Sequence, residues 1–181
     1  MKDFKSQADQ GLKIGQPILE QAREIFQLVA ASPPLDLNSF YLYALQASHF
    51  ADTSVVATSK DGVVGFMSAY LRPDVTNELF IWQVAVNTNY RGQGIGQRML
   101  ADLVSRPHLQ QVKNLSATIG PSNEASLGLF RGFAAKHDLV LEQGECFLGE
   151  QAFPIDQHHE PELYWRVSAK SEKSIYLALV N

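Results

Sequence analysis

Hydrophobic residues recur at helical spacing in two stretches near the start of the chain. Pro17 opens the first stretch, which Ser32-Pro33-Pro34 ends, and the second runs from about Asn38 to Ser48. Apolar residues three and four positions apart predict a helix with one buried face. The first helix is expected to bury Ile18, Ala22, Ile25, Phe26 and Val29.

Three strands are predicted after these helices. Residues 54–59 and 63–72 flank Asp61-Gly62, a dipeptide typical of a tight hairpin turn. Residues 79–86 are almost all apolar, which indicates a buried strand. Because strand side chains alternate, Phe80, Trp82 and Val84 should share one face, and Ile81, Gln83 and Ala85 the other.

Helices and strands alternate in the second half of the chain. A helix from the glycines at 92–96 to about Ser105 is stopped by Pro107, a strand covers 114–119, and a helix runs to about Lys136. That last helix should bury Leu127, Phe130 and Phe133. Strands at 139–143 and 162–167 follow, and residues 168–181 favour no particular element.

The element order α-α-β-β-β-α-β-α-β-β indicates an α/β (α+β) fold. A mixed, twisted central sheet with helices on both faces is the arrangement expected for this order. The chain has 181 residues, which fits one domain. We expect a flexible N-terminus at 1–15, a single domain at 16–168 and a C-terminal tail at 169–181.

Composition narrows the functional class. A net charge of −4 provides no excess of cations for a nucleic-acid backbone or an anionic membrane, so neither partner is expected. Cys146 is the only cysteine, which excludes an intrachain disulfide and a multi-thiolate metal site. The first residues lack the apolar core of a secretory signal, and no apolar run approaches the ~18 residues of a membrane span. The expected location is the cytoplasm.

A glycine-rich loop, Arg91-Gly92-Gln93-Gly94-Ile95-Gly96, lies between the buried strand and a helix. Glycines let a backbone turn tightly, and the amides and dipole at a helix N-terminus attract an anion such as a pyrophosphate. Gln97 occupies the position where the dinucleotide pattern G-x-G-x-x-G needs its third glycine, and the G-K-[ST] of a Walker loop is absent. A glycine-rich turn without a ligand remains the alternative.

The pattern R-x-x-G-x-G after a strand that ends in Val84-Ala85-Val86 resembles the acetyl-CoA loop of the GNAT superfamily of N-acetyltransferases. The resemblance implies a GNAT-type acyl-CoA N-acyltransferase fold, with acetyl-CoA as co-substrate and no metal. It also implies that Asn123 helps to line the gap between the two strands at the cofactor. The alternative is a plain helix N-cap, and the two roles are compatible. The implied cofactor-binding residues are Val84, Ala85, Val86, Arg91, Gly92, Gln93, Gly94, Ile95, Gly96 and Asn123.

A closer resemblance extends over residues 30 to 167, and it is to the diaminobutyrate acetyltransferase family of the ectoine pathway. It implies transfer of acetyl from acetyl-CoA to the 4-amino group of L-2,4-diaminobutyrate, and it implies a homodimer, since relatives are commonly dimers. The segments that carry it are LDLNSFYLY (35–43), HFADTSVVA (49–57), GFMSAYLRPD (65–74), LFIWQVAV (79–86), RGQGIGQRML (91–100), PSNEASLGLF (121–130) and ELYW (162–165).

Such a substrate carries two ammonium groups and one carboxylate, so its site should offer carboxylates and aromatic surface. The resemblance assigns substrate binding to Asp36, Asn38, Tyr41, Trp82 and Glu162. Two bland alternatives stay open: Asp36 could simply cap the helix that carries Tyr41, and Trp82 could be only a core residue.

The reaction requires a neutral amine, because an alkyl ammonium with a pKa of ~10 cannot attack a carbonyl. Glu162 or His159 is expected to take the proton. A backbone N–H of the Val84–Val86 segment should then stabilise the oxyanion.

The sequence departs from the superfamily pattern at two positions. Phe130 stands where a tyrosine often protonates the departing sulfur, so Tyr164 serves instead or the thiolate leaves unassisted. Gly120 stands where the family would have threonine.

The segment before the last strand contains His158, His159, Glu160 and Glu162. Adjacent strand side chains point to opposite faces and chelate poorly together, so no metal is predicted, and Glu160 is expected to be a solvated loop charge.

Two other functions remain open. The chain could acetylate another small amine or a protein N-terminus, or it could be a silent module that binds acetyl-CoA. The absent tyrosine at Phe130 is the only support for the second of these. The apolar tail at 175–180 offers a surface for a partner subunit.

Overall fold

The computed structural model describes residues 11–154, 159–171 and 173–180. Seven strands lie in one sheet in the order β1-β2-β3-β4-β5-β7-β6. β4 and β5 run parallel, whereas β1 with β2, β2 with β3, β5 with β7 and β6 with β7 run antiparallel, so the predicted mixed sheet is confirmed. The elements are β1 (Lys13–Gly15), α1 (Ala22–Ala30), α2 (Phe40–Gln46), β2 (Ser54–Ser59), β3 (Gly62–Leu71), β4 (Glu78–Val86), α3 (Ile95–Val104), β5 (Asn114–Ile119), α4 (Glu124–Lys136), β6 (Leu139–Leu148), β7 (Glu162–Ala169) and α5 (Ile175–Val180).

The chain divides into two compact units. The first comprises the described residues up to Tyr70 together with Gln83–Leu103, and the second comprises Leu71–Trp82 and the described residues from Val104 onward. The sequence predicted one domain at 16–168 and made no such division.

In the first unit, α1 and α2 pack against strand residues around an apolar core. The α1 face predicted from periodicity is buried at Ala22, Ile25 and Val29. The aromatic ring of Tyr43 meets those of Phe26 and Phe66 edge to face, with centroids 5.9 and 6.1 Å away. The remaining core members are Leu28, Ala47, Val56, Val63 and Ala85.

The predicted hairpin turn joins β2 to β3. Ser59 pairs with Gly62, which has a φ of +85° that favours glycine. The carboxylate of Glu24 on α1 accepts a hydrogen bond from the backbone N–H of Val63 at 2.7 Å. Helix α1 is therefore tied to the turn by a side chain as well as by packing.

Gly65 on β3 permits a close approach by α3. A Cβ at this position would lie 3.2 Å from Cγ2 of Ile95, 3.3 Å from Sδ of Met99 and 3.0 Å from Cβ of Ala57. These distances are tighter than ordinary packing, so a side chain at 65 would require α3 or the sheet to shift by a few tenths of an ångström.

In the second unit, β5 pairs with β4 on one side and β7 on the other. Glu78, Leu79 and Phe80 pair with Asn114, Leu115 and Ser116. Helix α4 buries Leu127, Phe130 and Phe133, as its periodicity predicted. Ile175 at the start of α5 is fully buried, and its N–H donates to the carbonyl of Val112 at 2.9 Å.

Four expectations need correction. Residues 13–15 form β1 and pair with β2, so they do not belong to a flexible terminus, while residues 1–10 lie outside the described part. Ile18 is 56% exposed because it precedes a single 3₁₀ turn, Leu19–Gln21, and α1 begins only at Ala22. β6 is twice as long as the predicted five residues, and a helix forms at the end of the tail.

No described helix combines the length and the apolar character that crossing a bilayer requires.

Candidate functional site

The glycine loop connects the end of β4 to α3 in the first unit. Gly92 and Gly94 have φ values of +76° and +72°, in the left-handed region that other residues rarely adopt. A Cβ at either position would meet no atom within 4 Å. These glycines are therefore required by the path of the backbone rather than by crowding.

Hydrogen bonds hold the residues that lead into this loop. The N–H of Asn87 donates to the carbonyl of Val64 on β3 at 2.9 Å. The hydroxyl of Tyr90 donates to Asp61 at 2.5 Å and lies 3.0 Å from the hydroxyl of Ser59, in the hairpin turn. The loop thus starts from a fixed position on the sheet.

The Arg91 side chain folds back onto the strand. Its Nε donates to the carbonyl of Val86 at 3.0 Å, while residues 91–94 are exposed. Ile95 then turns into the core, and the N–H of Arg98 donates to the carbonyl of Gly94 at 3.0 Å, which closes the first turn of α3. The earlier amides of this turn have no partner within the helix and can receive an anion.

The N-terminal candidates lie in the segment before α2. Ser39 is the N-cap of α2, because its hydroxyl accepts from the N–H of Leu42 at 3.4 Å. The alternative that Asp36 caps this helix is therefore wrong. Asp36 is exposed and its carbonyl accepts from Nε2 of Gln83 at 2.8 Å, whereas Tyr41 is 71% exposed on α2.

Trp82 is not a core residue. It is 47% exposed, while Gln83 beside it is buried, so the predicted alternation of β4 side chains is confirmed. An indole that a strand presents to solvent can contact a cationic ligand.

Two of the late candidates contact other parts of the second unit. The ring of His159 stacks on Phe153 with centroids 4.8 Å apart and planes at 22°. Glu160 is exposed, as expected, but it is not merely solvated, because its Oε2 accepts from the N–H of Ser122 at 2.8 Å. His158 lies outside the described residues.

Glu162 opens β7, is half-buried and pairs with Leu148 of β6. Its carboxylate therefore projects from the first residue of a strand whose backbone is held by pairing. Such a rigid position suits a residue that binds a ligand or transfers a proton.

The entrance to α4 explains one departure from the family pattern. Asn123 is the N-cap of α4, since its Oδ1 accepts from the N–H of Ser126 at 3.0 Å. A Cβ at Gly120 would lie 3.0 Å from Oε2 of Glu160 and 3.9 Å from the carbonyl of Pro161. Glycine at 120 thus makes room for the Glu160 carboxylate on the Ser122 amide.

The sequence analysis missed a buried carboxylate. Glu78 at the start of β4 is 1% exposed. Its Oε1 accepts from Arg72 at 2.9 Å, from Ser116 at 2.8 Å and from the hydroxyl of Tyr164, while its Oε2 lies 3.8 Å from Nε of Arg166. The available signal was one acidic residue at the head of an apolar strand, six positions after an arginine.

Hydrogen bonds keep Glu78 ionised. Burial acts to raise the pKa of its carboxyl, but the donors Tyr164, Ser116 and Arg72 outweigh burial and lower the pKa below its ordinary value of 4.5. Both guanidinium groups also face the Tyr164 ring, with Arg72 at 5.8 Å and Arg166 at 5.9 Å from its centroid. Glu78 is therefore the centre of a network of hydrogen bonds and ion pairs with these side chains.

This network includes Tyr164, the candidate to replace the missing tyrosine as proton donor to the sulfur. The Tyr164 hydroxyl donates to Glu78 and accepts from Arg72 at 2.8 Å, so its proton is engaged within the network. Phe130, at the position of the missing tyrosine, is 3% exposed in the core side of α4.

Within the described residues, no group of three or more His, Cys, Asp or Glu side chains is arranged to hold a metal ion.

Comparisons with known proteins support the family that the glycine loop indicated and the fold described above. The sequence profile of the acetyltransferase (GNAT) family matches residues 17–134. The L-2,4-diaminobutyric acid acetyltransferase of Marinococcus halophilus is 42% identical over 83% of this chain and 86% of its own length. That of Methylotuvimicrobium alcaliphilum is 38% identical over 86% of this chain and 90% of its own.

A solved structure is similar over most of the chain. Diaminobutyrate acetyltransferase EctA of Paenibacillus lautus, in complex with its substrate L-2,4-diaminobutyric acid and coenzyme A, superposes with a TM-score of 0.83 and 32% identity. The match covers 87% of this chain and 94% of that one.

Proposed function

The chain belongs to the GNAT acetyltransferase family, and from this premise we infer that it transfers acetyl from acetyl-CoA to the 4-amino group of L-2,4-diaminobutyrate. The product is N4-acetyl-L-2,4-diaminobutyrate, an intermediate of ectoine synthesis. The observation that carries this function is the 42% identity to a diaminobutyrate acetyltransferase over 83% of the chain.

The cofactor is acetyl-CoA, and the first unit holds the residues suited to it. The left-handed glycines Gly92 and Gly94 expose the loop amides, and the start of α3 adds an electropositive end for the diphosphate. We assign the diphosphate to residues 91–96, that is Arg91, Gly92, Gln93, Gly94, Ile95 and Gly96. The pantetheine arm would pair with the backbone of Val84, Ala85 and Val86. In the second unit, Asn123 at the N-terminus of α4 is proposed as a further cofactor-binding residue.

Substrate recognition is proposed for five residues. In the first unit, the exposed Asp36 offers a carboxylate to an ammonium group, and Asn38 and Tyr41 offer an amide and an aromatic face. In the second unit, the exposed indole of Trp82 and the carboxylate of Glu162 offer the same two chemistries. Carboxylates and π faces are the groups that a dication with one carboxylate would need.

The proposed chemistry is direct attack. Glu162, or His159 in its place, accepts a proton from the 4-ammonium group, and the freed nitrogen lone pair attacks the thioester carbonyl. A backbone N–H of Val84 or a neighbour stabilises the oxyanion as the C–N bond forms. The oxyanion then collapses and the C–S bond breaks, so that coenzyme A departs as a thiolate, which a thiol pKa of ~8.5 permits without an acid. The nitrogen loses its second proton to the departing thiolate, which leaves the neutral amide and the free thiol.

A competition among amines tests the function. Thiol release from acetyl-CoA should be at least tenfold faster with L-2,4-diaminobutyrate than with ornithine, lysine or putrescine, and NMR of the product should place the acetyl group on N4. Equal rates with all four amines would support a general amine acetyltransferase. Binding of acetyl-CoA with no turnover on any amine would support a silent binding module.

We propose three further properties that follow from family membership. Residues 16–168 act as one catalytic domain, the enzyme works in the cytoplasm in osmoprotection, and it forms a homodimer. Leu177 and Val180 on α5 are 43% and 58% exposed and give a second copy an apolar surface. Sedimentation of L177S/V180S tests the role of α5 and spares the buried Ile175, which removal of the tail would take away. An unchanged sedimentation coefficient would exclude α5 from any dimer contact.

A further inference from the structure

A buried amide on β4 connects the strand to the segment that precedes α2. Gln83 is 7% exposed, although its neighbours on either side in β4 are apolar. Its Nε2 donates to the carbonyl of Asp36 at 2.8 Å, and its Oε1 accepts from the hydroxyl of Tyr43 at 3.3 Å. A buried amide is destabilising unless both of its ends are bonded, so this geometry fixes the Gln83 side chain.

Tyr43 continues the connection. Its hydroxyl also accepts a hydrogen bond from the backbone N–H of Asn38 at 3.2 Å. The ring is 1% exposed and held edge to face by Phe26 and Phe66, so the hydroxyl has little freedom to move. Gln83 and Tyr43 therefore form a relay that ends on two backbone groups, the carbonyl of Asp36 and the N–H of Asn38.

The two anchored groups lie on either side of Leu37, which is 49% exposed. The exposed segment thus contributes little apolar burial of its own, and the relay supplies polar anchors from the core. The backbone at 36 and 38 sets where the Asp36 and Asn38 side chains point, because each side chain leaves from an anchored peptide.

The strand end of the relay adjoins the proposed chemistry. Gln83 immediately precedes Val84, whose backbone is assigned to the thioester, and its side chain points to the opposite face of β4. Gln83 therefore links the backbone of Asp36 directly to the strand residue that precedes Val84.

We propose that Gln83 and Tyr43 are positioning residues, which hold the Asp36–Asn38 segment at a set distance from the acetyl-transferring part of β4. This proposal rests on the proposed function, since it assumes that Asp36 and Asn38 contact the diamine. Loss of the relay leaves acetyl-CoA binding intact, because the cofactor residues are anchored separately through Asn87 and Tyr90. It lowers the fraction of molecules in which the diamine segment is correctly placed.

Three variants dissect the relay. Y43F keeps the ring and removes the hydroxyl that serves Asn38 and Gln83, Q83E replaces the donor to the Asp36 carbonyl by an acceptor, and Q83L removes both bonds. We expect the KM for diaminobutyrate to rise about tenfold or more in each, since each variant loses at least one buried hydrogen bond, with the KM for acetyl-CoA within twofold of wild type. Y43F/Q83L should be no worse than about twice the poorer single variant, since the two residues act in series.

A matched control is available in α2. Gln46 is another buried glutamine, 6% exposed, and its Oε1 accepts from the hydroxyl of Ser54 at 3.1 Å. Q46L should lower the melting temperature as Q83L does and leave both KM values unchanged. A general loss of stability would move Q46L and Q83L alike, whereas a positioning role moves only the KM of the relay variants.

Amide exchange gives a reading that does not depend on turnover. The Asn38 N–H should exchange at least tenfold faster in Y43F than in the wild type and at the wild-type rate in Q46L. Faster exchange together with the selective KM rise establishes the relay. An unchanged Asn38 exchange rate, or a diaminobutyrate KM within twofold of wild type in both Y43F and Q83E, overturns it. A wild-type enzyme that acetylates no diamine refutes the proposed function, while the Asn38 measurement still decides whether the anchor exists.

Discussion

The hydroxyl of Tyr164 donates a hydrogen bond to the buried carboxylate of Glu78, across 86 positions of sequence. Arg72 reaches the same carboxylate oxygen at 2.9 Å, so a strand end, a preceding loop and a late strand meet at one charge. Since Glu78 is 1% exposed, the whole arrangement depends on its partners being present together.

E78Q should destabilise the protein by about 3 kcal/mol, because it leaves the guanidinium groups of Arg72 and Arg166 facing a neutral amide in the interior. Urea unfolding at pH 7.5 measures the change. E124Q is the matched control, since Glu124 pairs with Arg131 at 3.8 Å on an exposed surface and should change stability by less than about 0.5 kcal/mol. Equal changes in the free energy of unfolding for the two substitutions would show that Glu78 contributes no more to stability than an exposed ion pair does.

G94A should weaken acetyl-CoA binding about tenfold, because alanine in the left-handed region costs about 1–2 kcal/mol and the loop would leave that conformation to relieve the strain. Calorimetric titration with coenzyme A measures the affinity. G128A is the control: Gly128 lies in α4 with nothing within 4 Å of a Cβ, so alanine there should stabilise the helix by about 0.5–1 kcal/mol and leave affinity alone. An affinity of G94A equal to wild type would argue against the loop as the diphosphate site.

E162Q should reduce kcat for diaminobutyrate by about 10²-fold or more, with little change in the KM for acetyl-CoA, if its carboxylate accepts the ammonium proton. H159Q should reduce kcat less than tenfold, because its ring is stacked on Phe153. Steady-state rates at pH 7.5, with each substrate varied at saturating concentration of the other, measure both. The reverse ranking of the two variants would assign the base to His159.

Stability should fall as the pH drops below about 6.5, and His137 should account for part of that loss. Burial, together with the charge of Lys136, lowers the pKa of His137 from its ordinary 6.5, and no hydrogen bond satisfies its Nε2 among the described residues. The unfolded chain therefore binds a proton more readily than the folded protein, so the stabilising contribution exists above pH 6.5 and is lost as the pH falls through the window beneath it.

H137Q should show a smaller loss of unfolding free energy between pH 7.5 and pH 5.5 than the wild type does, measured by urea titration at each pH. The range stops above the ordinary pKa of glutamate, 4.5, so that Glu78 stays ionised throughout. K136M provides the comparison, because removal of the neighbouring charge should shift the imidazole NMR titration upward. Identical pH dependence in H137Q and wild type would exclude a role for this histidine.

Periodicity predicted the buried faces of α1 and α4 because these depend on local spacing, and the β4 alternation followed in the same way. The pairing of residues 13–15 with β2 could not be predicted, because three residues carry too little pattern to indicate a strand. Ile18 was misassigned since a proline-led pattern does not reveal that the first turn is 3₁₀.

The candidate site divides in the same manner. The glycine loop was recognisable because its chemistry lies in consecutive residues, whereas Glu78 with Tyr164 and Gln83 with Tyr43 are joined only by folding. Polar residues in an apolar strand are the trace that such contacts leave in a sequence. Both Glu78 and Gln83 were visible in that sense, but their partners, 86 and 40 positions away, were not.

Because Gly65 has no side chain, α3 packs directly against the backbone of β3 at this position. Ile95, which contacts this position, is also the fifth residue of the glycine loop. The packing at Gly65 therefore sets the distance between the end of the loop and the sheet. Adding one methyl group there would displace the front of α3 together with the amides that we assign to the diphosphate. A substitution at Gly65, which is not among the proposed ligand contacts, would then change the affinity for the cofactor. Variant libraries built for new acyl donors could use this position to make small changes in the placement of the loop.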